Sequence, residues 1–86
     1  MIKVIGDEIP APTSTGAGDN IGNATMVRCY NSGGTDRLIT VQLADNTRIG
    51  RFTLKTKEVE YVDKNITDEM FAAHADILFT SVVVMG

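Results

Sequence analysis

The chain reads as a single all-β domain over residues 1–86, a small antiparallel β-sandwich or open barrel of six to seven strands with one short helix. Three observations predict it. Apolar residues recur at every second position in short runs, the period of a strand with one face in a core. Clusters of Gly, Asn, Asp, Ser and Thr separate the runs, and these are the residues that make tight turns. A chain of 86 residues suits one domain with a thin core between two layers and no room for a deep cleft.

The elements follow in order. Met1 to Ile5 is a first strand with Ile2 and Val4 on one face. Residues 7–23 form a Gly/Pro-rich arm, because Pro10, Pro12, Gly16, Gly18 and Gly22 interrupt any regular element. Connections of this length in so small a domain are commonly functional or ordered by a neighbour. Thr25 to Tyr30 is a strand with Val27 and Cys29 sharing a face, and Asn31 to Asp36 is a turn. Arg37 to Leu43 returns with Ile39, Val41 and Leu43 inward and Leu38, Thr40 and Gln42 outward. Asp45-Asn46 supplies a tight turn, since both residues tolerate left-handed backbone angles.

In Thr47 to Lys55, Ile49 breaks the alternation set by Phe52 and Leu54, and a β-bulge around Gly50 is expected to give all three a common face. Glu58 to Lys64 alternates again, Val59 and Tyr61 on one side, Glu58, Glu60 and Val62 on the other. Thr67-Asp68-Glu69 predicts a short helix, with Thr67 as its N-cap and two acids in the first turn. The last strand, Ile77 to Met85, is apolar on both faces: Ile77, Phe79, Val83 and Met85 on one, Leu78, Val82 and Val84 on the other. It needs cover on both sides, supplied either by the 7–23 arm or by another subunit.

Hydrophobic residues make up 43% and charged residues 22%, which is ordinary for a globular chain. A net charge of −3 argues against nucleic acid as the main ligand, because phosphate binding needs a basic face. Cys29 stands alone, so no internal disulfide framework is expected, and its apolar setting predicts a buried, inert thiol. After Met1 the chain reaches Asp7, Glu8 and Pro10 without the apolar stretch of a signal peptide, and no run approaches a membrane span. Asn23-Ala24-Thr25 and Asn65-Ile66-Thr67 match the glycosylation pattern, which has no consequence without export.

The residues for catalysis are missing from the pattern. His74 has no second His or Cys nearby to share a zinc ion, and no G-x-S-x-G motif is present. Most Asp residues fall at turns, where their carboxylates bond local backbone. Gly16 to Gly22 fits neither phosphate-loop pattern. A non-enzymatic protein with no catalytic, cofactor or metal residues is therefore expected.

Two constellations suggest contacts. Pro12, Ile21, Leu38, Val82 and Val84 are the candidate interface: apolar residues of the arm or of outward strand faces. Arg48, Arg51, Lys55 and Lys57 lie within ten residues that contain no acid. They form either a basic stripe for an acidic partner or an edge strand protected against pairing.

The run Thr25-Met26-Val27-Arg28-Cys29-Tyr30-Asn31-Ser32-Gly33-Gly34 resembles a "VRxYN-S/G-G" stretch of small tailed-phage virion proteins, notably of marine and cyanobacterial phages. The spacing through Ile39-Thr40-Val41 and Ile49-Gly50-Arg51-Phe52-Thr53-Leu54 is similar to theirs, as is Val59 to Lys64 followed by Thr67-Asp68-Glu69-Met70-Phe71-Ala72. Where such proteins usually carry a Pro- or Ala-Gly-Glu turn, this chain has Lys55-Thr56-Lys57-Glu58. The resemblance spans residues 24 to 84 and concerns strands and turns, so it carries over no site residue. It implies a virion component made in the host cytoplasm, most simply a capsid decoration (cement) subunit. Its partners would be the major capsid protein or neck and tail proteins, and it would act as a homo-oligomer or lattice-bound multimer. The alternative is a carbohydrate- or receptor-binding β-sandwich of a tail or neck, against which stands the absence of Trp.

Overall fold

A computed structural model describes residues 1–85, and these form an all-β protein of two antiparallel sheets. The strands are β1 (Ile2–Val4), β2 (Ile9–Pro10), β3 (Met26–Asn31), β4 (Arg37–Gln42), β5 (Arg48–Leu54), β6 (Val59–Asp63), β7 (Glu69–Ala72) and β8 (Ile77–Val84). The larger sheet runs β1-β8-β3-β6, with β2 also pairing β8, and the smaller runs β5-β4-β7. Inward residues of the two sheets meet in one core. Val27, Cys29, Ile77 and Phe79 come from the larger, and Ile39, Leu54, Met70 and Ala72 from the smaller. Phe79, Ile39, Met70 and Ile77 are the largest apolar side chains fully removed from solvent. Burial of each contributes about 1.5–3 kcal/mol.

The arm closes one seam between the sheets. Ala11 N–H donates to the Ile77 carbonyl at 2.8 Å, and the Pro12 carbonyl accepts from Ala72 N–H at 2.9 Å. Asp19 and Met70 exchange two backbone bonds of 3.1 and 2.8 Å. Residues 11–19 thus run from β8 to β7 as an irregular closing strand, interrupted by a 3₁₀ turn at Thr15–Ala17. Among the described residues the opposite seam, between β5 and β6, has no such closure, so they form a sandwich half-converted to an open barrel.

Several expectations are corrected. No helix starts at Thr67; residues 69–72 form β7 on the edge of β4, with Met70 opposite Val41 and Ala72 opposite Ile39. Met70 and Ala72 both go into the core at the two-residue period, and that burial outweighs a weak N-cap signal. Asp68 turns back instead, accepting from Asn65 N–H at 3.0 Å.

The bulge lies beside Gly50, as expected, because Val41 faces Gly50 while Gln42 faces Arg48. Ile49 is the extra residue and stays exposed, so only Phe52 and Leu54 reach the interior. At the end of β4, Gln42 is buried and Leu43 exposed, the reverse of the alternation. The 3₁₀ turn covers Gln42, whose Nε2 donates to the Thr15 carbonyl at 2.8 Å. On β6 the inward residue is Val62, opposite core Val27, which sends Val59 and Tyr61 to the outside. At the tight turn, Asn46 alone of the Asp45-Asn46 pair takes a left-handed angle, with φ of 72°.

Candidate interaction surface

The outer face of the larger sheet carries a group of exposed apolar residues. Its outward residues follow from the register. Val4, Val82, Met26 and Asp63 form one row, Thr80, Arg28 and Tyr61 the next, and Leu78, Tyr30 and Val59 a third, with Ile2 beside Val84 at the end. Alternation requires these positions to share a face once Val27, Cys29 and Phe79 point into the core. Val4 is 60%, Val84 53%, Tyr61 42%, and Ile2 and Val59 each 40% exposed. Met26, Tyr30 and Leu78 are half-buried between them.

Two charged residues stand on this face, Asp63 at its β6 margin and Arg28 nearer the middle. The Arg28 guanidinium pairs with Glu8 at 3.3 Å and lies 5.5 Å from the Tyr30 ring centroid. Carboxylate and ring hold it flat along the sheet. The face thus combines exposed Val and Ile side chains and two Tyr rings with an arginine held between a carboxylate and a ring.

The five candidate interface residues do not form one surface. Val82 and Val84 lie on the outer face of the larger sheet, Val82 already buried by its neighbours. Leu38 lies on the far side of the molecule, on the outer face of the smaller sheet. Pro12 belongs to the seam. Ile21 is buried with φ of 54°, a conformation β-branched residues rarely adopt, and its N–H is held by the Asp19 carboxylate at 2.7 Å. The arm is therefore part of the fold rather than a free tentacle.

The basic run is divided as well. Arg48 and Arg51 line a groove of about 370 Å³ on the outer face of the smaller sheet, with Leu38, Thr40 and Phe71. Lys55 and Lys57 belong to the turn after β5, where Lys57 has φ of 62° and its Nζ donates to the Ser32 carbonyl at 2.6 Å.

Cys29 is buried, and burial first, then the Glu60 carboxylate, pushes its thiol up to about 12. Such a thiol is a poor nucleophile. His74 is half-exposed, and its Nδ1 accepts from Asp76 N–H at 3.0 Å, which sets the neutral ring's proton on Nε2. Asp76 is held by Arg37 at 3.3 Å. Among the described residues, no three His, Cys, Asp or Glu side chains converge as metal ligands.

Sequence reasoning did not single out Ile2, Val4, Met26, Val59 and Tyr61 as one patch, because the strands that carry them are distant in the chain. Asn31 and Lys64 were also missed. Asn31 looks like a turn residue but is wholly buried, and the Lys64 Nζ is tucked against the carbonyls of Ala24 and Asn65 at 2.8 and 3.2 Å.

No family model and no curated protein matches the chain. Among solved structures it is similar to Anabaena sensory rhodopsin transducer over 95% of this chain and 96% of that one, at 19% identity and a TM-score of 0.36. At that score the likeness bears on neither fold nor function.

Proposed function

We propose that this chain is a non-enzymatic structural subunit of a tailed-phage particle, of the capsid decoration type, and that the outer face of its larger sheet docks on the particle. The observation that carries the reading is that face: Ile2, Val4, Val59, Tyr61 and Val84 stay exposed on one side of a single sheet. A small rigid domain with such a face suits placement in many copies, where weak single contacts add through the lattice. The resemblance of residues 24 to 84 to small virion proteins supports the same reading.

Reconstitution tests it. Wild-type protein added to capsids lacking it should co-sediment to saturation, and Val84→Asp or Tyr61→Asp should reduce bound protein at least tenfold while circular dichroism stays unchanged. Equal occupancy by the folded variants would overturn the docking face. Deleting the arm is not a usable test, because Ala11 and Ile21 belong to the core.

A second reading has one observation in its favour. Tyr30 and Tyr61 flank Arg28 on the same face, and aromatic rings beside a hydrogen-bond donor are the usual materials of a sugar platform. Glycan binding that disappears on Tyr61→Ala, with capsid binding absent throughout, would favour a carbohydrate-binding tail or neck module instead.

A further inference from the structure

The open seam has a chemical asymmetry that identifies its occupant. Strands β5 and β6 are joined by a tight turn, Glu58 N–H to the Lys55 carbonyl at 3.1 Å, yet they enter different sheets and diverge. Among the described residues each is hydrogen-bonded to one neighbouring strand only, β4 and β3 respectively, so each presents an open backbone edge. Between them lies a cleft of about 560 Å³ lined by Ile49, Phe52, Tyr61 and Val62, with Arg51 on its β5 side and Glu60 and Asp63 on its β6 side, through which the half-buried rim of the core meets solvent.

The two edges carry opposite charge. Arg48, Arg51 and Lys55 lie on or beside β5, and Glu58, Glu60 and Asp63 on or beside β6. Among the described residues, none of these six makes an ion pair within the chain. Tyr61 N–H is capped by the Glu60 carboxylate at 3.2 Å, a side chain standing where a neighbouring strand's carbonyl would be. Unpaired edges attract foreign strands, and charge decides which ones are admitted. Two β5 edges repel, as do two β6 edges, whereas β5 against β6 is complementary.

We infer that the cleft is a self-association site, filled by a second copy of this chain whose β6 edge pairs with β5 of the first. Reciprocal pairing closes a two-fold dimer; one-way pairing closes a ring. Either arrangement uses both open edges and covers Ile49. The inference does not depend on the particle to which the subunit is attached.

Light scattering over a dilution series tests it. Wild-type protein should have at least twice the 9.3 kDa chain mass. Arg48→Glu/Arg51→Glu and Glu60→Lys/Asp63→Lys should each be folded monomers, because each makes the mating edges alike in charge. An equimolar mixture of the two variants should recover the wild-type mass, a result that loss of folding cannot imitate. A wild-type monomer at every concentration would overturn the inference. So would variants that keep the wild-type mass, or a mixture that stays monomeric. Capsid binding by the folded monomeric variants separates this site from the docking face: if they still co-sediment, albeit more weakly, the docking face survives even when self-association fails.

Discussion

Asn31 reaches from the larger sheet to the smaller, its Nδ2 donating to the Leu54 carbonyl at 3.0 Å. The same amide donates to the Thr35 carbonyl at 2.8 Å, and its Oδ1 accepts from Gly33 N–H at 3.0 Å. One fully buried side chain therefore ties the end of β3, the 31–36 turn and the end of β5 together. Asn31→Ala removes all three bonds, of which the one to the Leu54 carbonyl is buried. The expected loss is about 2–4 kcal/mol, measured as a lower urea midpoint. Asn31→Asp keeps the acceptor but not the donors, and should be no better tolerated.

Gly33 packs against the Asp76 carboxylate so closely that an added Cβ overlaps it, and Arg37 prevents the carboxylate from moving aside. Gly33→Ala should cost about 1–3 kcal/mol as an overpacked contact. Gly34→Ala, next in the chain and facing open space, should change stability by less than about 0.5 kcal/mol. Thermal melts of the two variants make the comparison.

Cys29 should resist a neutral maleimide in the folded protein and react at the rate of unfolding. Its thiol is protonated in the fold up to about 12, against 9.0 for a free one. The stability linked to it is fully present below pH 9.0 and lost as pH rises toward 12. Cys29→Ala should flatten that decline in urea titrations.

Lys64 has the opposite sign. Burial lowers its pKa below 10.5, although Asp68 and Asp19 work against the shift. The unfolded chain holds that proton more tightly, so this group makes stability rise as pH climbs from the lowered value to 10.5. Lys64→Met should abolish the rise, and above pH 9.0 it should expose the Cys29 decline without opposition. Urea midpoints of wild type and both single variants across this range separate the two groups.

The strands were legible because burial on one face writes a two-residue period. Val27 and Cys29, Ile39 and Val41, and Ile77 and Phe79 all face inward as that period requires. The period failed where something other than regular strand pairing set which way a residue faced. Gln42 is buried beneath the 3₁₀ turn, and Ile49 is pushed out by the bulge at a neighbouring glycine. The helix expected from Thr67 misread β7 because three polar residues carry a local cap signal while Met70 and Ala72 carry the tertiary one. The apolar outer face of the larger sheet escaped notice for a different reason. Its members are ordinary outward residues of β1, β3, β6 and β8, and only the register across those strands shows that they meet.

The most direct measurement is the abundance of this chain in purified virions, quantified by mass spectrometry against the major capsid protein. A decoration subunit should be present at a fixed, near-stoichiometric ratio that survives gradient purification. A chain abundant in the infected-cell lysate but missing from the particles would contradict the proposal.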